Sequence, residues 1–194
     1  MTRWLTSIVL AAGFLAVGQA QAQQAVEMEG QKFEPTVALG GQDLGLNGVG
    51  LRKRAIFKVY VAGLYAGQKS TSAAAIVNDK GPRRVSLRML RDVEAQSFID
   101  SFNEGLKNNT PEAQLNAMKP QVDALVATLK SIGEAKKGDI INFDFTPDGG
   151  TRITLNGQAK GNPIPGADFF AAVLRIWLGD KPADETLKKG MLGA

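Results

Sequence analysis

The sequence predicts a single α+β domain in which a large antiparallel sheet carries a layer of helices on one face. The strand-like and helix-like segments come in blocks, in the order strands, helices, strands, helices, rather than in strict alternation. The helical segments are amphipathic, so each needs an apolar partner such as one face of a sheet. Neither internal repeats nor a linker indicates a second domain.

Residues 1–22 are predicted to form a secretory signal peptide. Arg3 precedes an apolar run over residues 4–17, and Ala20-Gln21-Ala22 supplies a small-residue cleavage site. The run is shorter than the roughly 20 residues of a membrane-spanning helix. Cleavage after Ala22 would leave residues 23–194 as the folded domain, periplasmic or secreted, with no integral membrane segment.

The composition excludes several kinds of chemistry. The chain has no histidine and no cysteine, which rules out Ser-His-Asp catalysis, cysteine nucleophiles and metal sites built on thiolate or imidazole. The net charge of +4 is small and scattered, so we expect no nucleic-acid partner. We also expect no cofactor and no metal.

The first block of strands contains the most polar stretch of the chain. Residues 33–46 read as a hairpin or a pair of short strands, and a glycine-rich bend at residues 47–50 leads into one long strand over residues 53–65. A short helix over residues 72–77 and a strand over residues 84–90 follow.

The second half of the chain is predicted from apolar periodicity and turn residues. The predicted elements are helices at 95–106 and 115–132, strands at 140–146 and 151–156 joined by a turn at 147–150, and helices at 168–178 and 184–189. Thr110 is the expected N-cap of the second helix, with Pro111 at its first position. Helix 168–178 is apolar on nearly all sides, which predicts burial.

Alternation along the long strand places Arg52, Tyr60 and Leu64 on one face, and Val61 and Tyr65 on the other. The first face mixes apolar and polar side chains, as ligand pockets do. Arg52 and Tyr60 would lie about 26 Å apart on a straight strand at roughly 3.3 Å per residue. Both can therefore reach one small group only if the strand bends or bulges between them.

Four segments together resemble the chalcone isomerase-like family, which includes plant flavonoid cyclases, plastid fatty-acid-binding proteins and exported bacterial proteins. The segments read GVGLRKR, FKVYVAGLY, FIDSFNEGLKNN and GADFFAAVLRIWLGDKPADETLKKGMLG. The resemblance covers most of residues 23–194. It implies an open-faced β-sandwich, in agreement with the pattern above.

The resemblance also implies roles for particular residues. Arg52 matches the arginine that points into the family's ligand cleft, and Tyr60 matches a position that is threonine in the cyclases and tyrosine in fatty-acid-binding relatives. The cyclases use a further tyrosine on a helical segment, whereas this chain has none after Tyr65. A cyclase needs oriented donors for its oxyanion, each worth about 3 kcal/mol, but one arginine suffices to hold a carboxylate.

The leading hypothesis is therefore an exported, non-catalytic binding protein for a small apolar ligand, such as a fatty acid. Its candidate ligand-binding residues are Arg52, Tyr60 and Tyr65, and it has no candidate catalytic residue. The first alternative is an isomerase, an intramolecular cyclase acting on an enone. The second alternative is an interaction or scaffolding protein whose cleft is filled.

Overall fold

The computed structural model describes residues 24–194, and the predicted signal peptide, residues 1–22, lies outside the described residues. The strands are β1 (Val26–Met28), β2 (Gln31–Phe33), β3 (Thr36–Leu39), β4 (Gln42–Arg54), β5 (Phe57–Ala66), β6 (Arg83–Met89), β7 (Ile140–Thr146), β8 (Gly150–Leu155) and β9 (Gln158–Ile164). The helices are α1 (Ala73–Asn78), α2 (Ala95–Asn109), α3 (Glu112–Ala117), α4 (Lys119–Ile132), α5 (Ala167–Leu178) and α6 (Glu185–Met191).

Strands β3 to β9 form one seven-stranded antiparallel sheet in which every strand pairs with its neighbours in the chain. Strands β1 and β2 form a separate small hairpin. The helices pack on the sheet, which confirms the predicted α+β fold with a large antiparallel sheet and a helical layer. The turn predicted at residues 147–150 joins β7 to β8, as expected.

Two apolar cores lie on opposite faces of the sheet. The larger core contains Leu64, Leu87 and Phe143 from the strands, packed against α2, α4 and α5. The smaller core contains Phe33 of β2 against Val61 and other residues of β4 and β5. Side chains on both faces of β5 are therefore buried, because one apolar core covers each face of the sheet at this strand.

Helix α5 is the buried centre of the helical layer. Its apolar side chains point in all directions, as predicted, because the sheet lies on one side and α1, α2 and α6 pack around it. Gly105 of α2 allows the closest approach, since a Cβ atom there would lie 2.7 Å from Cγ2 of Ile176. A side chain at this position would push the two helices apart.

Helix α6 packs with its backbone directly on β4. A Cβ atom at Gly48 or Gly50 would overlap carbonyl oxygens of Gly190 and Leu187. Beside them, a bulge at Asn47 turns its side chain inward, where Nδ2 donates to the carbonyl of Met191 at 2.8 Å. The glycine-rich bend thus allows close helix packing, and the Asn47 bond holds the end of α6 in place.

The single long strand predicted over residues 53–65 is wrong. Strand β4 ends at Arg54, a two-residue turn follows at Ala55 and Ile56, and β5 begins at Phe57. Ala55 has a φ of 53°, a left-handed conformation that usually selects glycine. The turn contains no glycine, asparagine or aspartate, the residues that usually mark a hairpin. The alternation of apolar and polar residues therefore continues through it and predicts one strand.

Three smaller predictions also differ from the structure. The helix predicted over residues 115–132 is divided at Met118 into α3 and α4. Pro111 occupies the N-cap position of α3, while Thr110 ends α2. Strand β9 escaped prediction because it contains Gly161 and Pro163, which are tolerated there since β9 is an edge strand.

Within residues 24–194, no helix is both long and apolar enough to cross a membrane.

Candidate functional site

An open cleft of about 660 Å³ lies between the far end of the β4–β5 hairpin and the helical layer. Its walls come from the hairpin, from α2, from the end of α5 and from residues 181–183 before α6. This volume is within the range of small-molecule sites. The cleft contradicts the expectation of a filled cleft made by the scaffolding alternative.

The hairpin brings Arg52 and Tyr60 side by side at this cleft. They are direct partners across β4 and β5, and both line the cleft. The register shifts by one residue just beyond this pair, so β5 carries an extra residue at Val59. The turn therefore removes the separation of about 26 Å expected for a straight strand.

The Arg52 side chain lies at the wall of the cleft and is 21% exposed. Its Nη1 donates to the carbonyl oxygen of Lys53 at 2.5 Å and lies 3.8 Å from Oδ2 of Asp184. A guanidinium has five N–H donors. The long contact with Asp184 leaves most of them available to an anionic group.

The Asp184 carboxylate is already engaged by backbone N–H groups. Oδ1 accepts from the N–H of Leu187 at 3.0 Å and caps α6, and Oδ2 accepts from the N–H of Lys53 at 3.1 Å. These bonds place the carboxylate where it tethers the loop to β4. They also explain why it approaches Arg52 without forming a tight ion pair.

Tyr60 is buried, with 7% of its surface exposed, and its hydroxyl oxygen accepts a hydrogen bond from Nε1 of Trp177 at 3.0 Å. Burial raises the pKa of the Tyr60 phenol, an effect that the Trp177 bond and the charge of Arg52 partly offset. The hydroxyl therefore keeps its proton at neutral pH. Since the Trp177 bond uses only the oxygen, the proton can be donated to a ligand.

Aromatic rings form the apolar floor of the cleft. Phe98 and Phe102 of α2 lie 5.5 Å apart between ring centroids, and Trp177 meets Phe102 edge to face at 5.7 Å. Phe102 also stacks on Phe143 of the sheet at 5.2 Å. These contacts join the floor to the main core, so the cleft has a firm apolar base.

The helix α2 adds polar groups to the opposite wall. Ser97, Ser101 and Asn108 of α2 line the cleft. The acidic residues Asp92, Glu94, Glu104 and Glu134 lie at the same side. The cleft therefore has a cationic wall on the hairpin and an acidic rim on the helical side.

Tyr65 lies elsewhere, on the opposite face of the sheet. It belongs to the smaller core, and its hydroxyl donates to the carbonyl of Glu34 at 3.0 Å. Burial raises the pKa of its phenol as well. The structure thus brings Arg52 and Tyr60 together and leaves Tyr65 outside this cleft.

Two residues at the site were missed from the sequence. Asp184 precedes α6 and has the position of an N-cap, a signal that indicates a helix start without indicating a partner for Arg52. Trp177 read as one of many apolar residues of α5. Its bond to Tyr60 joins residues far apart in the chain, which no local pattern reveals.

No group of three or more acidic side chains within residues 24–194 could hold a metal ion. Besides the acidic side chains of its rim, the cleft presents a guanidinium, a phenol, hydroxyls and an amide. The donors of these groups can bind an anion or a carbonyl oxygen.

Fold and cleft together define an open-faced α+β domain with a ligand-sized site at one end of its sheet. Residues 25–193 match the family described as "Chalcone isomerase-like". The chain belongs to this family, which confirms the resemblance stated above.

Among the solved structures of similar fold is the fatty-acid binding protein AtFAP1 of Arabidopsis thaliana. The TM-score is 0.65 at 16% sequence identity, over 87% of this chain and 96% of that chain. At this identity the likeness shows the fold alone. No curated protein matches the chain in sequence.

Proposed function

We propose that the chain is a non-catalytic binding protein for a small apolar ligand with an acidic head, such as a fatty acid. The cleft holds the ligand between sheet and helices, with Arg52 pairing the head and Tyr60 adding a hydrogen bond. The observation that carries the proposal is the pairing of these two residues at the mouth of a cleft with an aromatic floor. The fold shared with a fatty-acid binding protein is consistent with it.

The electrostatics of the cleft favour an anionic head over a neutral one. Arg52 carries a fixed positive charge, and its guanidinium presents paired donors that match the two oxygens of a carboxylate. Tyr60 supplies a neutral donor beside it. The apolar tail would lie over Phe98, Phe102 and Trp177, where it replaces water on aromatic surface.

Displacement of a fluorescent fatty acid by palmitate tests this proposal. We expect Arg52→Ala to weaken palmitate binding about 10- to 100-fold, the worth of a charge-assisted hydrogen bond. Arg52→Lys should be intermediate, because it keeps the charge and loses the planar fork. The matched control is Arg152→Ala, which removes an exposed arginine from the opposite face of the sheet.

Two results would reject the proposal. One is that the wild-type protein binds no fatty acid or related amphiphile. The other is that Arg52→Ala binds palmitate as tightly as the wild type does. Palmityl alcohol has the same tail without the charged head, so its binding should respond little to Arg52→Ala. Comparing it with palmitate separates the contribution of the head from that of the tail.

The cyclase alternative concerns the same cleft. It requires donors that stabilise an enolate oxyanion, and it predicts turnover of a chalcone that is lost in Arg52→Ala. Following chalcone absorbance with the purified protein decides between the two. Turnover well above the uncatalysed rate would replace the binding proposal with an isomerase.

We also propose that the protein is exported, with cleavage after Ala22 and residues 23–194 as the mature domain. The support is the pattern of Arg3, the apolar run over residues 4–17 and Ala20-Gln21-Ala22. Mass spectrometry of the protein from an envelope fraction should find Gln23 at the N-terminus. If the folded protein in the cell still carried Met1, export with cleavage after Ala22 would be contradicted.

A further inference from the structure

The hairpin tip, residues 53–58, presents apolar side chains to solvent. Ile56 is 87% exposed and Phe57 is 54% exposed, and these are two of only three large apolar side chains exposed among residues 24–194. The two-residue turn places Ile56 at the outermost point of the hairpin. Adjacent exposed apolar side chains at a protruding turn indicate a contact surface.

Basic side chains surround these apolar residues. Lys53, Arg54 and Lys58 belong to the hairpin tip and are exposed, and the guanidinium of Arg91 stacks on Phe57 at 4.6 Å. Lys53 and Lys58 are direct partners across the strands, where like charges lower stability. Glu29 neutralises Lys58 at 2.7 Å, and the rest of the hairpin tip remains cationic.

Besides Glu29, the Asp184 carboxylate contacts the backbone N–H of Lys53 at the hairpin tip, and further acidic residues line the cleft. Asp92 and Glu134 there are within 3.7 Å and 2.5 Å of Nζ of Lys136, which partly neutralises them. A partner surface that contacts the hairpin tip would therefore contact positive charges and apolar side chains together. That combination is typical of protein segments that bind the headgroup region of an anionic bilayer.

We propose that the hairpin tip docks on an anionic lipid surface. Ile56 and Phe57 enter the interface between headgroups and acyl chains, while Lys53, Arg54 and Arg91 meet the lipid phosphates. Arg54 and Phe57 also line the cleft, so docking brings the cleft mouth to the membrane. Exchange of an amphiphile at that point rests on the proposed function, whereas docking itself does not.

Sedimentation of the purified protein with vesicles tests the docking. We expect binding to vesicles of phosphatidylglycerol and phosphatidylcholine in equal parts, little binding to phosphatidylcholine alone, and weakening as salt screens the charges. Ile56→Ser should lower the partition coefficient about tenfold and Lys53→Ser about fivefold. The control Arg152→Ser, an exposed charge away from the hairpin tip, should leave it unchanged.

A second readout keeps the test informative if sedimentation is weak. Ile56→Trp should bind at least as well as the wild type, because tryptophan prefers the membrane interface, and its fluorescence should shift to shorter wavelength on vesicle addition. An absence of any shift, together with no sedimentation of the wild type, would overturn the proposal.

Other outcomes would overturn it too. Equal partition of the wild type and Ile56→Ser would mean that the hairpin tip is not the docking surface. A dimer in solution that Ile56→Ser dissociates would assign the hairpin tip to self-association instead. The proposed function fails separately, because Ile56 does not line the cleft and Ile56→Ser should bind palmitate normally, while Arg52→Ala should still sediment with vesicles.

Discussion

Two arginine–aspartate pairs lie on opposite faces of the sheet, and they differ in geometry more than in burial. Arg84 binds Asp144 through two parallel hydrogen bonds of 2.5 and 2.7 Å, whereas Arg52 approaches Asp184 only to 3.8 Å. The arginine side chains are 19% and 21% exposed. The two arginines are therefore almost equally exposed, and they differ in how many of their N–H donors bind the aspartate.

The two pairs differ in geometry because their aspartates come from different parts of the fold. Asp144 is the direct cross-strand partner of Arg84, so the sheet itself fixes the pair. The bond to Asp144 raises the pKa of Arg84 above that of a free arginine. Asp184 instead comes from the segment before α6, and backbone N–H groups occupy its oxygens. Arg84 is thus committed to the fold, whereas the guanidinium of Arg52 has no such bidentate partner.

The largest expected effect is on stability and comes from breaking the tight pair. Arg84→Met leaves Asp144 buried without its partner, which should lower the free energy of unfolding by about 3 kcal/mol or more. Arg52→Met should cost less than about 1 kcal/mol. Urea denaturation of both variants measures the contrast.

A double variant serves as the control for that contrast. Arg84→Met with Asp144→Leu removes both charges, and it should be more stable than Arg84→Met alone because no unpaired charge stays buried. Equal losses for Arg84→Met and Arg52→Met would contradict the distinction between the two pairs.

The next effect is on ligand affinity and comes from changing the Arg52–Asp184 pair. Asp184→Asn removes the charge that competes for Arg52 and keeps an oxygen to cap α6. Palmitate should bind about three- to tenfold more tightly, from the loss of a repulsion between partly solvated charges. Isothermal titration gives the affinity, and palmityl alcohol, which carries no charge, should bind as it does to the wild type. A weaker palmitate affinity would mean that Asp184 positions Arg52 rather than competes for it.

An effect of similar size and opposite sign is expected at Tyr60. Tyr60→Phe removes the donor to the ligand and leaves Nε1 of Trp177 without its acceptor, so palmitate affinity should fall about three- to tenfold. Tyr65→Phe is the matched control, since its hydroxyl lies on the other face of the sheet. Displacement of a fluorescent fatty acid measures both. A larger loss in Tyr65→Phe than in Tyr60→Phe would place the site elsewhere.

The smallest effect is on the pH dependence of stability. The folded-state pKa of Tyr60 is raised above its unfolded value of about 10, so its contribution is fully present below pH 10 and is lost as pH rises through the folded-state pKa. Thermal unfolding between pH 8 and pH 11 should show a steeper decline in the wild type than in Tyr60→Phe. Parallel curves would show that Tyr60 ionises as freely in the folded protein as in the unfolded one.

The fold was largely predictable, because its elements are periodic and local. Helix α5 and the β7–β8 hairpin follow from apolar spacing and from a turn rich in glycine and proline. The β4–β5 turn was not predictable, since Ala55 and Ile56 carry no turn signal, although Ala55 adopts a left-handed φ of 53°.

The site was predictable in its members and not in its geometry. Arg52 and Tyr60 were named from the strand pattern and the family resemblance, yet the turn that joins them was missed. Asp184 and Trp177 act on them from more than a hundred residues away. Contacts of this kind depend on the docking of α5 and α6, which short-range patterns do not encode.

The most direct test of the central claim is the ionisation of a bound ligand. Palmitate labelled with ¹³C at the carboxyl group reports its own titration by NMR while bound. If Arg52 pairs with the head, the carboxyl pKa should be lower in the wild type than in Arg52→Ala, with Arg152→Ala matching the wild type. The same carboxyl pKa in the wild type and in Arg52→Ala would show that Arg52 does not hold the head.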